Sequence, residues 1–185
     1  MAKSGPFTGE ISSGMLSDIG CRYVIVGHSE RRKHLGETDA MVNQKALAAV
    51  AAGLKVILCV GEGTAEAGSR TNVVDRVIEE QFLRATERFP VGASRDLIVA
   101  YEPVWAIGTG KTATSDNAVQ AALLMRKLAV KKFGRKSADR LRVLYGGSVS
   151  NKTVGAFWRE DQLDGVLVGS ASANAKEFTD LLKSI

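Results

Sequence analysis

The sequence predicts an α/β protein of about five parallel βα units, and three of its features lead there. Short apolar runs alternate with longer amphipathic segments along the 185 residues, as expected when strands buried on both faces are covered by helices. Each apolar run stops abruptly at a polar or glycine-rich loop. The connections are long enough to carry a helix back across a sheet, as a parallel crossover requires. Right-handed crossovers place such strands either in an open doubly wound sheet or in an arc of a (β/α)8 barrel, and periodicity does not separate the two. A closed barrel needs eight strands, and five are legible here.

The first strand is expected at 23–26 (YVIV), followed by the polar GHSERR and a helix whose Val42, Ala46, Ala49 and Val50 share one face. Gly53 closes that helix. The second strand, 56–60 (VILCV), runs into Gly61 and Glu62. A helix over 71–88 follows, with Val74, Val77, Ile78 and Phe82 on one side, and stops before Pro90. The third strand is 97–101 (LIVAY), and its helix runs from a Thr114 or Ser115 cap through Ala121, Leu124, Met125 and Leu128 to Gly134. The fourth, 141–145 (LRVLY), ends in GGSVS and precedes a short helix near 153–158. The fifth, 165–168, meets Gly169, and a last helix spans about 173–182.

The third strand carries the most chemistry. It delivers Glu102 to a loop that Pro103 stiffens at its start and that Gly108 and Gly110 free at its far half. Such a loop can close as a lid, and a carboxylate at its root suits proton transfer away from water. A solvated Glu in an ordinary βα loop is the plainer alternative. Every strand nevertheless ends in a usable group: His28, Glu62, Glu102, Ser148, and Gly169 with Ser170. Carboxyl ends of parallel strands are where both candidate architectures place a site.

Composition narrows the classes. With 45% apolar and 24% charged residues the chain reads as globular, a single domain over residues 1–185. No apolar run approaches a membrane span, and MAKSGPFTGE lacks the core of a signal peptide, so a cytoplasmic location is expected. Cys21 and Cys59 sit in apolar segments and no CxxC pair is present, which suggests buried thiols and no metal site. The net charge of +5 would help attract an anionic substrate. The basic run KKFGRKSADRLR at 131–142 lacks interleaved aromatics and reads as a solvated helix terminus, without nucleic acid.

Six motifs in order, GPFTGEIS (5–12), VGHSERR (26–32), CVGE (59–62), AYEPVWAIGTGKTA (100–113), YGGSV (145–149) and LVGSAS (167–172), resemble triosephosphate isomerase. The resemblance implies an incomplete (open) TIM barrel of about five parallel βα units. It implies interconversion of dihydroxyacetone phosphate and glyceraldehyde 3-phosphate without cofactor or metal, and a homodimer, with an altered interface, in which residues 7–10 reach into the partner. It makes Glu102 the base that shuttles the proton between adjacent carbons and His28 the neutral electrophile that donates to the enediolate oxygen. By the same resemblance Gly108, Ser148, Gly169 and Ser170 offer backbone N–H groups to the phosphate, and Tyr145 latches the lid. Pro103, Val104 and Trp105 resemble its first hinge, and Lys111, Thr112 and Ala113 the second. Arg31 and Glu37 resemble a bracing ion pair, while His34 gains no role and reads as surface.

Departures from the pattern bear on competence. Relatives carry a glycine where Ser170 stands, and a turn requiring positive φ there would strain serine by about 1 kcal/mol. The chain begins, by resemblance, inside the loop after the third barrel strand. The asparagine-any-lysine segment that holds the phosphate has no counterpart, and Glu30, which contacts that lysine in relatives, loses its partner. Losing one preorganised charge-stabilising donor costs about 10²–10³-fold in rate, so much reduced activity is expected. A folded, inactive remnant that self-associates or needs an amino-terminal fragment in trans is the alternative. A nucleotide-binding doubly wound enzyme would need a glycine fingerprint after the first strand, and GHSERR is not one.

Overall fold

The computed structural model describes residues 4–63, 71–106 and 113–185. Among these residues five strands form one sheet: β1 (Tyr23–Val26), β2 (Lys55–Val60), β3 (Leu97–Tyr101), β4 (Arg142–Tyr145) and β5 (Gly165–Val166). All neighbours are parallel and the spatial order is strictly β1-β2-β3-β4-β5. That order resolves the ambiguity left by periodicity. A doubly wound sheet reverses direction at a switch point, whereas strands laid down always to the same side trace the arc of a barrel. Among the described residues the sheet does not close, so the architecture is an open, incomplete barrel.

Among the described residues eight helices connect and cover the strands: α1 (Ser13–Asp18), α2 (Ser29–Leu35), α3 (Asp39–Ala51), α4 (Thr71–Ala85), α5 (Ser115–Phe133), α6 (Arg135–Ala138), α7 (Val154–Trp158) and α8 (Ala175–Leu182). Side chains that accept from otherwise orphaned amides set their starts. Ser12 accepts from Met15, Thr38 from Met41, and Asn174 from Lys176 and Glu177. Thr114 and Asn117 close a reciprocal capping box at the head of α5. Small residues on α5, Ala118, Ala121, Ala122 and Ala129, are buried beside Met125, Leu128 and Phe133, which allows the helix to lie close to the strands.

Strand periodicity divides the sheet into two unlike faces. Val26, Val56, Leu58, Val60, Leu97, Val99, Tyr101, Val143 and Tyr145 belong to one continuous core with the helices. Within it Phe133 meets Phe82 and Phe89 edge-on at centroid distances of 6.4 and 6.1 Å, and Tyr145 stacks on Phe157 at 3.7 Å. The opposite, concave face is a register row of Ile25, Ile57, Ile98 and Arg142 beside a second row of Cys59, Ala100, Leu144 and Gly165. Its floor is open: Tyr23 and Ile25 are each 43% exposed.

Several boundaries differ from expectation for local reasons. SERRKH forms a separate helix, α2, because Gly36 turns left-handed at φ 66° and breaks it from α3. The helix expected over 71–88 stops at Ala85, where the Thr86 hydroxyl donates to the Phe82 carbonyl and the chain turns towards Arg88 at φ 55°. The basic run holds a second short helix, α6, after Gly134 at φ 82°. The fifth strand is only Gly165–Val166, although the Leu167 amide still donates to the Tyr145 carbonyl. Helix α1 has no buried residue, so no core-facing stripe announces it.

Candidate active site

Glu102 follows β3 directly and shares the concave face with Ala100 two residues earlier. Its amide donates to the Val60 carbonyl and that of Gly146 to Tyr101, so the carboxyl end of the sheet holds its backbone. The side chain is buried at 2% exposure. Oε2 accepts from the Ser29 amide at 3.0 Å, and the His28 Nε2 lies 3.2 Å from Oε1. Burial pushes the Glu102 carboxyl above the ordinary Glu range, against the pull of the neighbouring His28, the Ser29 amide and the Cys59 thiol. Cys59 is raised well above a normal thiol, first by burial and then by the neighbouring carboxylate.

His28 is placed by a turn that only glycine makes comfortably. Gly27 has φ 75°, and a Cβ there would meet Val42, the Cys59 carbonyl and Arg32 at 3.0–3.2 Å. His28 then caps α2, and its Nδ1 accepts from the Glu30 amide at 3.3 Å. A neutral imidazole whose Nδ1 accepts carries its proton on Nε2. That proton points into the space beside Glu102. The residue stays part-exposed, its side chain 30% accessible, so a ligand can reach it. Glu30 itself is exposed.

An ion-pair network braces this corner. Arg32 donates to the Gly27 carbonyl at 2.8 Å and to Asp39 at 2.6 Å. Glu37, 5% exposed, receives both Arg31, at 2.6 Å, and Lys45. Burial raises its carboxyl, but hydrogen bonds from Lys45 and Arg31 and their charges outweigh it, and the net shift is downward. A lowered carboxyl contributes stability above its unfolded pKa and loses it as pH falls through the folded value. We expect Glu37→Gln to cost about 2 kcal/mol at neutral pH, between the exposed and buried ion-pair limits because Arg31 can rehydrate. Urea midpoints should show that difference vanish once the pH drops below the ordinary Glu range.

The stretch that follows β3 is tied down as well. Glu62, 2% exposed, accepts from the Tyr101 hydroxyl at 3.0 Å and the Trp105 indole at 2.6 Å, while its carbonyl takes the Val104 amide at 3.0 Å. Gly61 lies against Glu102, and a Cβ there would stand 1.7 Å from the Glu102 carbonyl oxygen. Gly61→Ala should therefore displace Glu102 and cost about 2–3 kcal/mol, read as a lower urea midpoint and a lost Glu102–Ser29 contact.

The remaining expected residues lie on the same rim. Ser148 is half-buried just beyond β4, and Gly169 and Ser170 are exposed beyond β5. Ser170 opens a 3-10 turn, and Arg88 is the only positive-φ residue other than glycine among the described residues. Serine there carries none of the strain a left-handed turn would impose. Tyr145 is fully buried against Phe157, its hydroxyl facing the backbone of Ala113, and burial pushes it up to about 12. Gly108, Lys111 and Thr112 lie outside the described residues, as does most of the lid. Sequence reasoning missed Ser29, whose amide holds Glu102, and Cys59, the buried thiol beside it. The alternation of β2 alone, with Cys59 two residues after Ile57 on the concave face, was the available signal for Cys59.

Comparison with known proteins places the sequence in a family. The family model for triosephosphate isomerase matches residues 1–185. A triosephosphate isomerase of Carboxydothermus hydrogenoformans is 48% identical over 181 residues, 98% of this chain and 71% of that protein. Those of Syntrophotalea carbinolica and Moorella thermoacetica are each 48% identical, over 97% and 96% of this chain and 70% of theirs. The chain thus spans about 70% of the length of these relatives. With the strand order, the paired Glu102 and His28 and a match along its whole length, the chain belongs to the triosephosphate isomerase family.

Proposed function

We propose that the chain catalyses aldose–ketose isomerisation of a triose phosphate by proton transfer through an enediolate. Glu102 removes the carbon-bound proton and returns it to the neighbouring carbon. His28 donates from Nε2 to the oxygen on which charge builds. The observation that carries this reading is the meeting of a buried, raised carboxylate with an imidazole whose proton is directed beside it, 3.2 Å away. A base held above the ordinary Glu range abstracts a weakly acidic proton more readily than a solvated one. The backbone amides at Ser148, Gly169 and Ser170, on adjacent strand ends, receive the phosphate, with Gly108 from the lid.

Residues 7–10 and α1 form the dimer contact: Phe7, Ile11, Met15 and Ile19 are 55–75% exposed, and the last three recur at a spacing of four. The cytoplasm is the compartment that suits a cofactor-free enzyme with free thiols at Cys21 and Cys59. The test is solvent deuterium exchange into dihydroxyacetone phosphate, followed by NMR, with chain purified from a host lacking its own isomerase. Exchange above the buffer rate is expected. A cooperatively melting chain that gives none would replace the enzyme by a folded, inactive relative.

A further inference from the structure

Gln81 is a polar residue on the core-facing side of α4. Ile78, Phe82 and Ala85, its neighbours at helical spacing, are fully buried, so the helical period turns Gln81 towards the sheet as well. Its amide does not end among apolar groups. Oε1 accepts from the Gly61 amide at 2.9 Å and Nε2 donates to the Gly61 carbonyl at 3.1 Å. One side chain, 20 positions away, therefore holds both backbone groups of a buried residue. The reason lies in the sheet. Val60 and Glu62 give their carbonyls to the amides of Glu102 and Val104, and alternate residues of a parallel strand bond to opposite neighbours. The groups of Gly61 thus point away from β3, to the side where β1 has already ended at Val26. Buried backbone groups need partners, and Gln81 supplies both where no strand does.

We propose that Gln81 is a positioning residue for the isomerisation: by fixing the Gly61 peptide it sets where Glu102 holds its carboxyl beside His28. The link is direct contact. Gly61 packs so closely on Glu102 that a Cβ would stand 1.7 Å from the Glu102 carbonyl oxygen, and the Glu102 amide is held by the carbonyl of the preceding Val60 at 2.8 Å. A rotation of the Gly61 peptide therefore moves the backbone from which the base projects. The same peptide leads into Glu62, which holds the Tyr101 hydroxyl, the Trp105 indole and the Val104 amide. The chain on both sides of Glu102 thus follows Gly61. Among the described residues the hydrogen bonds of Gln81 go to Gly61 alone, so it acts through that peptide and not on the reacting atoms. A displacement of about 1 Å in a reacting group costs about 10²-fold, which makes a side chain outside the site count in the rate. This deepens the isomerase reading and rests on it for the reaction, but the placing of Glu102 is also read without turnover, so either can fail alone.

The test compares Gln81→Met, which keeps the length of the side chain and removes its donor and acceptor, with Gln81→Glu, both in the full 185-residue chain. Gln81→Met should lower kcat by about 10–10²-fold with KM within about twofold, because the base is displaced and the groups that receive the phosphate are not. In that variant the Glu102 carboxyl, followed by carbon-13 NMR, should titrate closer to the ordinary Glu value than in the parent, as water reaches it. Gln81→Glu keeps the acceptor for the Gly61 amide and so holds the fold should Gln81→Met melt. Ionised, the new carboxylate opposes the Gly61 carbonyl; protonated, it offers Gly61 the same donor and acceptor as the native amide. The Gly61 amide signal of this variant should therefore return to that of the parent at the same pH as the new carboxyl protonates. A lower melting temperature with kcat, KM and the Glu102 titration all as in the parent would make Gln81 a structural clamp only and overturn the proposal. Should the parent itself show no turnover, the isomerase reading fails, and the Glu102 titration alone decides whether Gln81 places the carboxyl.

Discussion

Glu102→Gln is expected to lower triose-phosphate isomerisation by about 10²–10⁴-fold, the contribution typical of a positioned base, without lowering stability. The amide keeps the shape of the side chain and an oxygen for the Ser29 N–H at 3.0 Å, but it cannot accept a proton from carbon. The stability side follows from the direction of the shift. Burial raises Glu102 above its unfolded pKa, so the folded state binds its proton more tightly than the unfolded chain does. Stability contributed by that proton is present below the unfolded pKa and is lost as pH rises through the folded one. The substitution should remove this pH-dependent loss, and the variant should melt at or above the parent at neutral pH. Activity carries the matching signature: kcat/KM of the parent should begin to fall, on acidification, above the ordinary Glu range. A variant with turnover like the parent's would mean that another group takes the proton, and an acid limb at the ordinary Glu pKa would mean that the carboxyl is hydrated in solution.

How much of this was legible in the sequence depends on the range over which each signal acts. β1 and β3 fall at 23–26 and 97–101 as the apolar runs indicate, because a buried parallel strand is written locally. The cap at Thr114 is local too, since Thr114 and Asn117 satisfy each other three residues apart. The strand order is not local. Periodicity permits either winding, and only the pairing of each strand with its sequence neighbour distinguishes the barrel arc. The site shows the same division. Glu102 and His28 stand out as polar groups at strand ends, whereas the amide that holds Glu102 belongs to Ser29, 73 residues away. Glu62 reads as one more strand-end acid, and its grip on Tyr101 and Trp105 spans 39 and 43 residues. Whether the turn at Ser170 needs positive φ is not legible locally, and the 3-10 turn at Ser170–Ala173 does not need it.

Phe82→Ala and Ile25→Ala together locate the core. Phe82 is fully buried in α4, edge-on to Phe133, and truncation should cost about 3–5 kcal/mol through lost transfer energy and an uncollapsed cavity. That is a large share of the about 5–15 kcal/mol typical of a domain. Ile25 is as large an aliphatic residue on a central-looking strand, and in a closed barrel its loss would rank with core truncations. Here it faces the uncovered side of the sheet at 43% exposure, so truncation should cost under about 1 kcal/mol. Urea unfolding of both variants at two protein concentrations decides where the stability resides. A large effect at Phe82 and a small one at Ile25, independent of concentration, means that the helix-covered face alone sustains the fold. Comparable losses at both positions would mean that the concave face is packed in solution. Concentration dependence of the Ile25 effect would then assign that packing to association and not to rearrangement within the chain.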